Sequence, residues 1–209
     1  MNCIFLRRGY PEIEKAPEIF PAFADNEWST IIYACQNNLV PSTWAVANSI
    51  PMLINGTNYQ IDIIGKGHDT YSDGSGKAPL TLQLHDCYET MYNMNSSRTN
   101  AGGWSDCAMR KTHLPAIMSL MPSEVQLGIK EVNKLTSAGN KSTTIVTTAD
   151  KLFLLSVVEA FDYFNGAAAT GEGEKYAYYT AGNSLLKDEN INYYGWWWRS
   201  PYISTNNAF

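Results

Sequence analysis

The chain is poor in charge. Of its 209 residues only 17% are Asp, Glu, Lys or Arg, against the usual ~25%, and the balance is negative, at −5. Outside the middle of the chain the one basic pair is Arg7-Arg8. A surface that grips duplex nucleic acid needs clustered cations against phosphates, so nucleic acid is excluded as a partner. No apolar run reaches the roughly 18 residues a spanning helix needs, which excludes a membrane helix. The opening "MNCIFLRRGYPEIEK" has its arginines after the apolar run and no small-residue cleavage site, unlike a secretion signal. The four cysteines, Cys3, Cys35, Cys87 and Cys107, contain no C-x-x-C pair, and four free or buried thiols are expected. "GKGHDTYSDGSGK" lacks the G-K-[ST] that opens a phosphate-binding helix. No internal repeat is present.

What the chain has in quantity is aromatic: 12% of residues, with thirteen tyrosines and six tryptophans, three of them consecutive at Trp196–Trp198. Few charges with much Tyr, Asn, Ser, Thr and Gly suit short strands joined by polar loops. Residues 1–24 read as an extended arm, because Pro11, Pro17 and Pro21 exclude helix and central strand. Such arms seldom build a domain's own core and often lie on a neighbour. Residues 25–209 read as a single α+β domain. Trp28, Ile31, Ile32 and Cys35 at i, i+3, i+4 and i+7 predict a helix over 25–38, capped by Asp25 or Asn26. Two apolar runs around Asn55-Gly56 predict a hairpin, with Tyr59, Ile61 and Ile63 on one face and Gln60 and Asp62 on the other. "LTLQL" reads as a strand. "CAMRKTHLPAIMSLMP" reads as two short helices interrupted at Pro115 and ending before Pro122. A helix starts at Ser123, and "IKEVNKL" and "STTIVTT" pair across "TSAGNK". "ADKLFLLSVVEAFDYF" fits a buried helix or strand-helix unit, "EKYAYY" a strand, and "GWWWRSPYI" a closing strand.

The order of motifs, "NAGGWSDCAMR", then "ADKLFLLSVVE", then "WWWRSP" over about residues 44–209, resembles a domain family of bacterial, largely Firmicutes, proteins and their phages. That family's signature is "DKLFLLS" followed by "WWLRSP", and Trp198 replaces its leucine. The resemblance implies a C-type-lectin-like body, similar to formylglycine-generating enzymes and phage tropism proteins. In such folds further strands follow the Trp-rich one. Here Phe209 closes the sequence seven residues after Tyr202, which implies a fold lacking the usual final strands and completed by another chain, or a shortened product.

Strand alternation puts Trp196 and Trp198 on one face and Trp197 on the other. Trp196, Trp198 and Trp104 are therefore predicted core residues. Trp197, Arg199, Tyr202, Asn206 and Asn207 are the candidate binding residues, with Trp197 stacking on sugar rings. Arg199 is also suited to capping a buried carboxylate, Asp150 or Glu159. His68, Asp69 and Asp73 read as a flexible surface loop, only loosely like a calcium loop. His85, Asp86, Cys87 and His113 invite a Cys–His reading, but adjacent strand residues face opposite ways and no nucleophile elbow is present. Asn55, Asn95 and Asn140 lie in N-x-[ST] sequences and mark exposed loops. No metal, cofactor or catalytic set is predicted.

Together these readings predict a non-enzymatic structural protein of a phage or phage-like particle, a capsid decoration, tail or baseplate component. It would dock on other virion subunits through residues 1–24, form a homo-oligomer or part of a symmetric assembly, and add host-surface glycan binding. The alternative is a lectin-like carbohydrate- or peptide-binding module of a bacterium.

Overall fold

In the computed structural model the described residues are 15–161, 171–185, 187 and 196–202. They form an α+β structure of short helices and antiparallel sheets. The predicted hairpin is present: β1 (Ser49–Ile54) and β2 (Thr57–Lys66) join through Asn55 and Gly56. Both turn residues have positive φ, 50° and 84°, the backbone of a type I′ turn that Asn-Gly adopts at least cost. β3 (Leu80–Leu84) pairs with the far side of β2, giving the order β1-β2-β3. Ile50, Met52, Ile54, Tyr59, Ile61 and Ile63 cover one face. Against it pack Ile31 and Ala34 of α1 (Trp28–Gln36), together with Phe23 and Trp44.

The arm predicted over 1–24 lies in part, residues 1–14, outside the described residues. Its described end belongs to the body: Phe23 is buried edge-on to Trp44, and Trp44 Nε1 donates to Phe20 O. Asn26 does not cap α1, whose N-cap position is Glu27 with no side-chain cap bond. Its amide instead closes the arm's last turn, accepting from Phe20 N at 2.9 Å and donating to Ala22 O at 2.7 Å.

Pro115 does not interrupt its helix. It stands in the first turn of α3 (Leu114–Met118), where a missing N–H leaves no bond unmade. A short turn of π-helix, Met109–His113, leads into it, after α2 (Gly103–Asp106). Past Pro122, α4 (Ser123–Gly128) leads to the second predicted hairpin, β4 (Val132–Ser137) with β5 (Ile145–Asp150). α5 (Val157–Ala160) follows.

Two strand predictions fail. "EKYAYY" carries helix α6 (Ala177–Thr180), and Tyr176, Tyr178 and Tyr179 pack with Ile64 and Leu155 on the other face of the sheet. Tertiary burial overrides the strand preference of tyrosine here. Close approach fixes Gly65, since a Cβ there would sit 2.9 Å from the Tyr176 ring. Trp196–Trp198 is irregular rather than strand. The segment is tied down at Arg199 N, which donates to Leu155 O at 2.9 Å.

Candidate functional site

The tryptophan run divides its rings as alternation predicts, without a ladder to enforce it. Trp196 and Trp198 lie together, centroids 4.0 Å apart, with Phe161 against Trp198. Both are half-buried at the margin of the Leu155–Tyr176 cluster rather than at its centre. Trp104, the third predicted core tryptophan, is fully buried. Trp197 turns the other way and is 41% exposed, its indole N–H anchored on Tyr92 O at 2.8 Å. Tyr202 is 37% exposed. Beside the tryptophan pair a cavity of about 470 Å³ is lined by Phe161, Lys175, Tyr179, Asn183 and Leu185. Asn206 and Asn207 lie outside the described residues.

Arg199 is no surface binding residue. It is 0% exposed, and every guanidinium donor is committed inside the protein. Nε and Nη2 donate to Leu135 O, Nη1 to Leu154 O and Glu159 Oε2, and Nη2 also to Glu172 O. Burying a guanidinium is tolerable only when its whole fork is satisfied. Of the two carboxylates proposed to receive it, Glu159 is the partner. Glu159 is placed by its capping box with Ser156 at the start of α5. Its second oxygen, Oε1, meets Lys134 Nζ at 2.6 Å.

Lys134 extends the network. From the inward face of β4 its ammonium also reaches Asp69 Oδ1 at 2.7 Å and Tyr176 OH at 2.9 Å, 4.2 Å from the centre of the Phe153 ring. Asp69 is therefore not on a flexible surface loop. It is 5% exposed, and Thr81 Oγ1 and Tyr176 OH donate to its Oδ2 at 2.5 and 2.7 Å. Burial alone would raise both carboxylates. For Asp69, Lys134 with the bonds from Thr81 and Tyr176 outweighs it. For Glu159, Arg199 and Lys134 do, so both are held below the ordinary range.

Glu172, a third buried carboxyl, behaves oppositely. Burial pushes it above its ordinary value, although Ser200 Oγ, Ser137 N and Thr136 Oγ1 bond its oxygens. Two cations already balance Asp69 and Glu159, so a charge on Glu172 would be in excess. A raised folded value means that Glu172 stabilises the fold below its unfolded value of 4.5. That contribution is lost as pH rises through the folded value. Glu159, and Asp69 while its carboxylate is free, contribute above their unfolded values, and that contribution is lost as pH falls through the folded ones. Glu172→Gln keeps the shape without the charge. Urea midpoints measured from pH 4.5 upward should therefore fall less for Glu172→Gln than for the parent; parallel curves would contradict this.

A second clamp centres on Asp150 at the end of β5. Trp104 Nε1 and Thr148 Oγ1 donate to Oδ2 at 2.9 and 2.5 Å, and Arg110 Nε donates to Oδ1 at 2.6 Å. Arg110 also ties Ser105 O and Ala149 O.

The remaining candidates are scattered. His68 stacks on Tyr176 and His113 on Tyr92. Asp73 is exposed and accepts from Ser75 N. His85 pairs through Nδ1 with buried Asp62 at 2.7 Å, and Ser49 Oγ donates to the other Asp62 oxygen. Burial pushes the Cys35 thiol up to about 11 and raises Cys107 too, the reverse of an activated nucleophile. Among the described residues no group of three or more His, Cys, Asp or Glu is placed to hold a metal, and no helix is long and apolar enough to cross a membrane.

Residues 80–209 match the model of a family described as a domain of unknown function, DUF6273. The match takes in both clamps except Asp69. Neither a curated protein nor a solved structure matches the chain.

Proposed function

The chain belongs to the DUF6273 family, and we propose that it is a non-enzymatic structural protein of a phage or phage-like particle with a C-type-lectin-like body. It serves as a decoration, tail or baseplate component and docks on other virion subunits in a symmetric assembly. The observation that carries this reading is where the polar residues of the motifs go. Trp104, Arg110, Asp150, Glu159, Arg199 and Ser200 all bond one another's segments inside the fold. Their chemistry is committed to rigidity. Among the described residues Trp197 and Tyr202 stay exposed, and tryptophan and tyrosine are the side chains that most often anchor contacts between chains.

Docking through the N-terminal arm has a defined test. Ile19, Phe23 and Asn26 belong to the body, so the deletion to make removes residues 2–18 and spares them. In density gradients of induced lysates the full chain is expected to sediment with particles. The truncated chain should stay folded at the top of the gradient. A full chain that never travels with particles overturns the reading, and a truncated chain at full occupancy overturns the arm's role.

A second reading, a lectin-like carbohydrate- or peptide-binding module of a bacterium, is favoured by Trp197. Its anchored indole leaves a ring exposed for a sugar face. Trp197→Ala is expected to weaken binding to a glycan array about tenfold, equivalent to roughly 1.4 kcal/mol, in a chain that circular dichroism shows still folded. Equal binding by parent and variant removes Trp197 from any glycan site.

A further inference from the structure

We propose that Lys134 and Asp69 condense with each other, forming an amide cross-link inside the folded protein, with Glu159 as the proton relay. The modification is single-turnover chemistry of the chain on itself and does not depend on the particle reading above. Nζ lies 2.7 Å from Asp69 Oδ1 and 2.6 Å from Glu159 Oε1, so amine, carboxyl and relay are already in contact. Holding reactants this way replaces a bimolecular encounter, an advantage reaching about 10⁵ M or more in effective concentration. Lys134, Asp69 and Glu159 are 2%, 5% and 1% exposed, and Phe153 and Tyr176 place their rings over the ammonium. Bulk water, which drives amides back to acid and amine, is kept away.

The atoms balance without any other reactant. Nζ bonds to Cγ of Asp69, and the Cγ–Oδ1 bond breaks. Two of the three ammonium protons leave with Oδ1 as water, passing through Glu159, which ends as the carboxylate it began as. The third stays on the amide nitrogen. Charge building on Oδ2 in the tetrahedral intermediate meets the hydroxyls of Thr81 and Tyr176, which already donate there. The product has a physical advantage as well. One buried cation and one buried anion vanish together, and Glu159 keeps its partner Arg199. Buried ion pairs carry a large desolvation penalty, so removing one while leaving the other balanced favours the amide. The link would join the loop after β2 to the middle of β4, across 65 residues.

The test is the denatured intact mass of the purified full chain. It is expected one water below the sequence mass. Trypsin should release "GHDTYSDGSGK" joined to "EVNKLTSAGNK", because the acylated Lys134 is no longer cut. A mass equal to the sequence mass overturns the proposal, as does a lost water that maps to any other pair. Glu159→Gln, soluble and with the parent's circular dichroism, should have the full sequence mass; a linked Glu159→Gln chain overturns the relay.

Discussion

Replacing Arg199 with methionine is expected to destabilise the protein by about 3–5 kcal/mol, the range for removing one partner of a buried ion pair. Methionine fills much the same apolar volume, so the loss is electrostatic rather than a cavity effect. Glu159 would keep only Lys134, whose ammonium is shared with Asp69 and whose charge is gone once the two have condensed. The carbonyls of Leu135 and Leu154 would lose their donor in the interior, where each orphan acceptor costs about 1–3 kcal/mol, while Glu172 O keeps the Ser156 hydroxyl. Urea unfolding measures the loss directly. Against total stabilities of about 5–15 kcal/mol, the variant should be marginal at room temperature. The double variant Arg199→Met with Glu159→Gln should recover part of the loss, because it removes the stranded charge along with its partner. A loss below about 1 kcal/mol for the single variant would mean that the site admits water to Glu159, contrary to its full burial.

Much of the fold can be read in the sequence because it is locally encoded. Asn55-Gly56 dictates a turn whose backbone few other pairs accept, and alternation in "YQIDI" and "LTLQL" places the flanking side chains. The pairing of β4 with β5 follows from two runs separated by a short polar turn. The tyrosine helix at Ala177–Thr180 is not local in this sense. Its residues favour strands, and only the sheet face they cover makes them helical.

The buried network was legible at one end. Arg199 inside an apolar run needs a carboxylate, and Glu159 was one of two named. Asp69 and Lys134 were missed, for different reasons. Asp69 sits in "GHDTYSDGSG", whose composition is that of a loop, and its burial comes from partners as far as Tyr176, 107 residues away. Lys134 did carry a signal: it shares a strand face with Val132 and Thr136, both buried. A lysine on an apolar face implies a buried anion, but nothing in the pattern says which. Glu172, between two glycines, has the look of a turn residue and gives no sign of its burial.

Asp150→Leu is the second large effect expected, again about 3–5 kcal/mol, and it probes the other clamp. Leucine matches the apolar volume but cannot accept a hydrogen bond. The Trp104 indole N–H, buried with its ring at 0% exposure, would lose its acceptor, and so would Thr148 Oγ1. Arg110, whose side chain is 24% exposed, would turn to water, so its share of the loss is the smaller. Two further variants separate these terms. Trp104→Phe removes the donor while keeping most of the ring, and should cost about 1–3 kcal/mol. Trp104→Ala also empties the space beside Met94, Cys107 and Met109, and should cost about 3–5 kcal/mol. If Asp150→Leu were harmful only because of lost packing, combining it with Trp104→Phe would add the two losses. The geometry predicts otherwise. Once Asp150 cannot accept, the indole N–H is already unpaired, and removing it should cost little more or even restore stability. A double-mutant cycle by urea unfolding should therefore give a coupling of about 0.5–3 kcal/mol between the two positions. Strict additivity would show that the indole finds another acceptor, and that the contact between Asp150 and Trp104 does not hold α2 against β5.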